Sequence, residues 1–192
     1  EERKKDLMHN KIIDIAQKAF VTKEYEYHIS SEKYLTIEII CSKAFSQSYL
    51  LAKLSNLDVV NMDICKLFND LKYFKIDFSG HVDTSELYLI EEIIEKSFNL
   101  NKKPHVERPI IFKSEIEVDC EHSKSYALMT LRCQNQKGLL AFIIEMFEEM
   151  GIDIVTAKIH TIKNRARDMF LIEKNGNFCH NVDTIIEKLT TR

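Results

Sequence analysis

Glycine and proline are nearly missing, with four and two residues in a chain of 192, and tryptophan is absent altogether. So few chain breakers exclude collagen-like and linker-like polypeptides and fit regular elements joined by short turns. Basic charge is not in excess: 27 Lys and Arg stand against 30 Asp and Glu, for a net charge of −3. That balance gives no overall footprint for nucleic acid, so DNA and RNA are not expected partners. Long apolar runs are lacking too. The longest, Gly138 to Phe147, already contains Glu145 and is about half of what a bilayer span requires, so no membrane partner is expected. Five cysteines, an odd number without paired spacing, and no signal peptide lead to the expectation of reduced thiols in a cytoplasmic protein. The first residue is Glu1 and not Met, which reads as a piece of something longer.

What is present is a globular composition, 45% hydrophobic, long enough for one or two packed domains. Met8, Ile12, Ile15 and Ala19 recur at helical spacing and predict an amphipathic N-terminal helix over 1–22. Its apolar stripe needs a partner surface, in this chain or upstream of it. Tyr34 to Cys41 and Tyr126 to Cys133 both read as strands. They also open two halves of a repeat: Tyr34 pairs with Tyr126 and Cys41 with Cys133 at one offset, and Asp58-Val59-Val60 pairs with Asp153-Ile154-Val155 at a slightly larger one. A repeat this long indicates a duplicated domain.

In the second half, a helix from Gly138 to Met150 presents Leu139, Leu140, Ile143, Met146, Phe147 and Met150 on one broad face, with Glu145, Glu148 and Glu149 read as a solvated opposite face. Gly151 stands where a left-handed C-cap belongs. Strands 153–162 and 167–173 flank a polar turn at 163–166, and a helix with Val182, Ile185, Ile186 and Leu189 follows the Asn175-Gly176 turn. The first half repeats this order: strand 34–41, a helix around Leu50 to Leu57, strands 59–68 and 71–79, and helix 84–98 behind a capping-box-like Asp83 and Glu86. Residues 102–109 hold both prolines and read as the connector, and Pro109 to Val118 as an added strand that completes the edge of one of two sheets. The expected class is therefore α+β: two ferredoxin-like (βαββαβ) sandwiches in tandem, divided as 1–22, 23–101, 102–120 and 121–192.

Several runs carry a resemblance: Pro109 to Phe112, Asn135-Gln136-Lys137-Gly138-Leu139-Leu140, Gly151 to Ile154, Ala157 to Thr161, and Ala166 to Phe170. The second half resembles an ACT domain, and the whole is similar to the C-terminal tandem ACT region of the PII uridylyltransferase/uridylyl-removing enzymes. Where that family has Asp-Arg-Pro before the loop glycine, this chain has Asn135, Gln136 and Lys137. The resemblance implies ACT-type sandwiches that sense a small amino acid, glutamine first, and control upstream nucleotidyltransferase and hydrolase domains acting on the PII signal protein. No catalytic residue is expected in this chain, which lacks the Gly-Ser, Asp-x-Asp and His-Asp patterns of those domains, and no cofactor is expected in it. A rival reading makes the tandem a structural homodimerisation or domain-docking module, since sheet edges are ready pairing surfaces.

The expected ligand residues are Asn135, Gln136, Lys137, Gly138, Leu139, Asp153 and Ile154. Gly138 lets backbone pass close to a ligand, and the start of the following helix suits an α-carboxylate. Asn135 and Asp153 are assigned to the ligand ammonium. Cys120, His122, Cys133, His160, Cys179 and His180 show no ligand spacing for zinc, and no metal is expected. Cys133 with His160 lacks an orienting third group, so a nucleophile pair is not expected either.

Overall fold

In a computed structural model, described for residues 10–14, 24–103, 105–174 and 178–190, the chain builds one eight-stranded antiparallel sheet. The elements are β1 (Tyr25–Ser30), β2 (Thr36–Cys41), α1 (Gln47–Lys53), β3 (Val59–Lys66), β4 (Lys72–Phe78), α2 (Leu87–Ser97), β5 (Ile116–Asp119), β6 (Tyr126–Gln134), α3 (Leu139–Met150), β7 (Ile154–Ile162), β8 (Arg165–Glu173) and α4 (Val182–Leu189). The strand order is β1-β2-β4-β3-β7-β8-β6-β5. It reads the same from either end once β1–β4 are exchanged for β5–β8. Two ferredoxin-like units thus sit side by side about a pseudo-twofold axis, joined where β3 meets β7 at Asn61/Lys158, Met62/Ala157 and Asp63/Thr156.

Two expectations change here. The two sheets are one, because β3 and β7 are both the open edges of their units and satisfy each other's backbone groups. The closing strand of each unit comes first in sequence, not last, so each unit runs ββαββα instead of βαββαβ. In the first unit that strand is β1, whose Tyr25 ring stacks on Phe98 at 3.9 Å. In the second it is only Ile116–Asp119, paired to β6. Residues 109–112 lie outside any strand. They are held by the Gln136 carboxamide, whose Oε1 accepts from the Ile110 N–H at 2.7 Å and whose Nε2 donates to the Ile110 carbonyl at 2.9 Å.

Alternation explains the core. Along β6, Ala127, Met129, Leu131 and Cys133 are buried, and along β8, Ala166, Asp168, Phe170 and Ile172. These faces meet α3, which buries Leu139, Ala141, Phe142, Ile143, Ile144 and Phe147 because it packs on the sheet and on α1 together. Gly151 caps it with φ 66°, the left-handed value its position demands. The β3–β4 and β7–β8 hairpins each turn through two left-handed residues, Asn69-Asp70 and Lys163-Asn164, the pair conformation that matches strand twist. The second turn is therefore tighter than the four residues expected, and β8 starts at Arg165. Glu148 does more than face solvent: its carboxylate accepts from the Ser48 N–H at 2.7 Å and ties α3 to the start of α1. Burial at this helix seam raises the Glu148 carboxyl above its ordinary range, against the pull of that hydrogen bond.

The described helical residues 10–14 cover the opposite face of the first unit. Ile12 packs against Ile40, Leu71 and Tyr73, and Lys11 Nζ reaches Glu38 at 3.0 Å. The partner surface sought by that stripe thus includes this chain, while Met8, Ile15 and Ala19 lie outside the described residues, as do Asn175 and Gly176. A further correction concerns cysteine. Cys120 at the end of β5 and Cys179 ahead of α4 form a disulfide, with Cα atoms 6.1 Å apart, so the chain is not the fully reduced one expected. Among the described residues, no helix is long and apolar enough to cross a membrane.

Candidate functional site

The pseudo-twofold seam creates two related cavities on the helical side of the sheet. One, about 220 Å³, is walled by the loop Asn135–Leu139, by Leu51 and Ser55 of the first unit, by Asp58 and Val59 opening β3, and by Ile159, Thr161, Ala166 and Asp168 on the sheet floor. Its sibling, about 50 Å³, has Gln47, Lys66, Phe74, Glu148, Asp153 and Ile154 around it. Both exceed the roughly 10–15 Å³ that admits a single water, and the first has about four times the room of the second.

Five of the expected residues, Asn135, Gln136, Lys137, Gly138 and Leu139, therefore come together, while Asp153 and Ile154 stand at the other cavity. The reason is helix length. The 12 residues of α3 separate its two ends by about 18 Å, so the strand that follows begins at the far end of the sheet. The repeat mates of Asp153 and Ile154, Asp58 and Val59 of the other unit, line the larger cavity instead. Asp153 instead lies 3.8 Å from Lys66 Nζ, which also bonds Glu173 at 2.9 Å and is held above its ordinary value chiefly by that bond.

Gly138 is the N-cap of α3 at φ 79°, with no side chain capping the helix start. A Cβ there would find space, its nearest neighbour being Val106 at 3.9 Å, so the backbone conformation is what demands glycine. The Asn135 N–H donates to the Asn164 carbonyl at 2.9 Å, which pins the loop to the β7–β8 turn. The Gln136 side chain is spent on Ile110, so this residue offers the cavity its backbone.

Asp168 is the residue that sequence reasoning passed over as a site. It occupies an inward position of β8 between Ala166 and Phe170, is 1% exposed, and its Oδ1 has no hydrogen-bond partner among the described residues. Burial pushes its carboxyl up to about 7. Neighbouring Cys133, on the same face, is pushed up to about 12 by burial first and by the Asp168 charge second. The cross-strand registers Cys41/Lys72 and Cys133/Ala166 make Phe74 the counterpart of Asp168. One unit thus fills this position with an aromatic ring, the other with a carboxylate facing a cavity. A charged residue on the apolar phase of a strand was the available signal.

Comparison with known proteins bears on the second of the two ferredoxin-like units. A family model for the ACT-like domain of plant bHLH transcription factors matches residues 116–191, from β5 through α4. The bifunctional uridylyltransferase/uridylyl-removing enzyme of Nitrosospira multiformis is 26% identical over 73 residues, which take in 38% of this chain and 8% of that enzyme. The match thus spans a small part of that relative, and the likeness to an ACT-like domain covers the second unit.

Proposed function

We propose that the chain is a regulatory module in which the larger seam cavity binds a small amino acid, glutamine foremost, and passes the occupancy to the rest of a uridylyltransferase-like protein. The observation that carries this reading is Asp168: a buried carboxylate oxygen without a partner among the described residues, on the floor of a cavity whose rim is the Gly138 loop. Leaving such an oxygen unpaired costs about 1–3 kcal/mol or more, which a ligand ammonium offsets. The N–H groups at the start of α3, with the positive end of a 12-residue helix behind them, complement a carboxylate. A zwitterion satisfies both ends at once.

Because the wall of the cavity comes from both units, a ligand there draws α1 and β3 toward the loop of α3. A coupling of about 1–3 kcal/mol between two arrangements of the units suffices to change an attached activity several-fold. Titration calorimetry of the chain against the common amino acids is expected to give heat for glutamine or a close analogue, and Gly138→Val, which strains the left-handed cap, to remove it. Silence from all of them at millimolar concentration overturns the reading.

A further inference from the structure

The two units differ most on the face turned away from the cavities. On the first unit, Ile40, Leu71 and Tyr73 form the apolar patch on which the helical segment 10–14 lies. The cross-strand registers carry these three positions onto the second unit as Arg132, Arg165 and Arg167, since Ile40 faces Tyr73 on β2/β4 as Arg132 faces Arg167 on β6/β8. His160 stands opposite Arg167 on β7, and Lys158 two residues before it shares that face. All five side chains are exposed. In a chain of net charge −3, this is a concentrated patch of the opposite sign.

Acidic residues border it along β5, where Glu115 and Glu117 share a cleft with Arg132 and Arg165, and the β7–β8 side of the patch carries the unpaired cations. Arg165 lies 3.7 Å from Glu115, whereas Arg132, Arg167 and Lys158 enter no ion pair among the described residues. Half-buried Leu128, Met169 and Leu171 continue the same face and give it apolar ground between the charges. Rings on this face include the His160 imidazole and, about 20 Å from Arg132 along β6, Tyr126, so a single-stranded nucleic acid is the rival occupant that the test below excludes.

We propose that this face docks an acidic amphipathic helix of a partner protein, seated as segment 10–14 is seated on the first unit. There the sheet offers Glu38 to a lysine of the covering helix at 3.0 Å. Here arginines stand ready for carboxylates, which they take in paired, directional hydrogen bonds. The apolar residues beneath receive the leucines of such a helix. This docking stands apart from ligand binding, because it uses the other side of the sheet.

The test uses the whole chain and a short, fluorescently tagged helical peptide carrying glutamates on one face and leucines on the other, with a lysine-for-glutamate counterpart. Anisotropy is expected to show the acidic peptide binding at least tenfold more tightly than the basic one, and less tightly as salt is raised. Arg132→Glu with Arg167→Glu is expected to invert that preference. Arg132→Ile with Arg167→Tyr, the residues the first unit uses, keeps the fold while abolishing the preference. Failure of the acidic peptide to bind, binding indifferent to both double variants, tighter binding of a single-stranded oligonucleotide, or self-association of the chain through this face each overturns the proposal.

Discussion

Replacing Asp168 with leucine is expected to stabilise the chain at pH 8 by roughly 2–4 kcal/mol while eliminating the ligand site. The carboxyl rises from an ordinary 3.8 to about 7 on burial, and each tenfold change in proton affinity corresponds to about 1.4 kcal/mol between the protonated and ionised forms. The sign follows from proton counting. Between about pH 4 and pH 7 the folded chain retains a proton that the unfolded chain has released, so folding stability declines as pH rises through this window and stays low above it. Leucine removes the buried charge and keeps the branched shape, its larger methyl groups entering the cavity beside it, and the buried Phe74 at the related position of the other unit is a precedent for an apolar side chain here. Urea unfolding at pH 5 and pH 8 checks the claim. The gap between variant and wild type should be about 2–3 kcal/mol wider at pH 8 than at pH 5, a comparison in which the raised Glu145 and Glu148 and the lowered Glu38 cancel. Equal pH dependence of the two chains contradicts it.

Reduction of the Cys120–Cys179 disulfide is expected to cost about 2–4 kcal/mol, with a fall in Tm of roughly 10 °C. The bond joins residues 59 apart in sequence, and closing a loop of that length restricts the unfolded chain by about 4 kcal/mol in the entropic account. It also fastens the segment ahead of α4 to the end of β5, beside Phe178, which is fully buried against Phe147. Thermal melts with and without dithiothreitol measure the effect. Wild type should lose stability on reduction, and Cys179→Ser should melt where the reduced wild type does, indifferent to reductant. A wild-type chain equally unmoved by reductant refutes the prediction.

Much of this fold was legible because its strongest signals are local. Helix α3 announces itself through apolar spacing closed by Gly151, and the repeat through Tyr34/Tyr126 and Cys41/Cys133. The rest depends on contacts across long stretches of chain. Strand β1 is a half-exposed edge segment secured by the ring of Phe98, far along the sequence. Pro109 to Phe112 has strand-like composition, yet the Ile110 backbone bonds a glutamine side chain and the Phe112 N–H donates to Glu115. The pairing of Cys120 with Cys179 follows from the placement of α4, which cysteine spacing alone does not encode.

The site divides along the same line. Residues 135–139 were visible because a glycine ahead of an apolar helix is a local pattern. Asp58, Leu51 and Ser55 were not, since they belong to the other repeat and reach the cavity through the β3/β7 junction and the packing of α1 on α3. Asp153 drew attention as the nearest acidic residue after the helix, when its repeat mate was the one delivered to the loop.

The central claim, that an amino acid sits between Asp168 and the start of α3, is tested most directly by amide chemical-shift mapping of the labelled chain during titration with glutamine. Saturable shifts at Gly138, Leu139, Leu140 and Asp168, with smaller ones at Asp58 and Val59 across the seam, are the predicted result. Shifts centred instead on Gln47, Asp153 and Glu173, or none at all, contradict it.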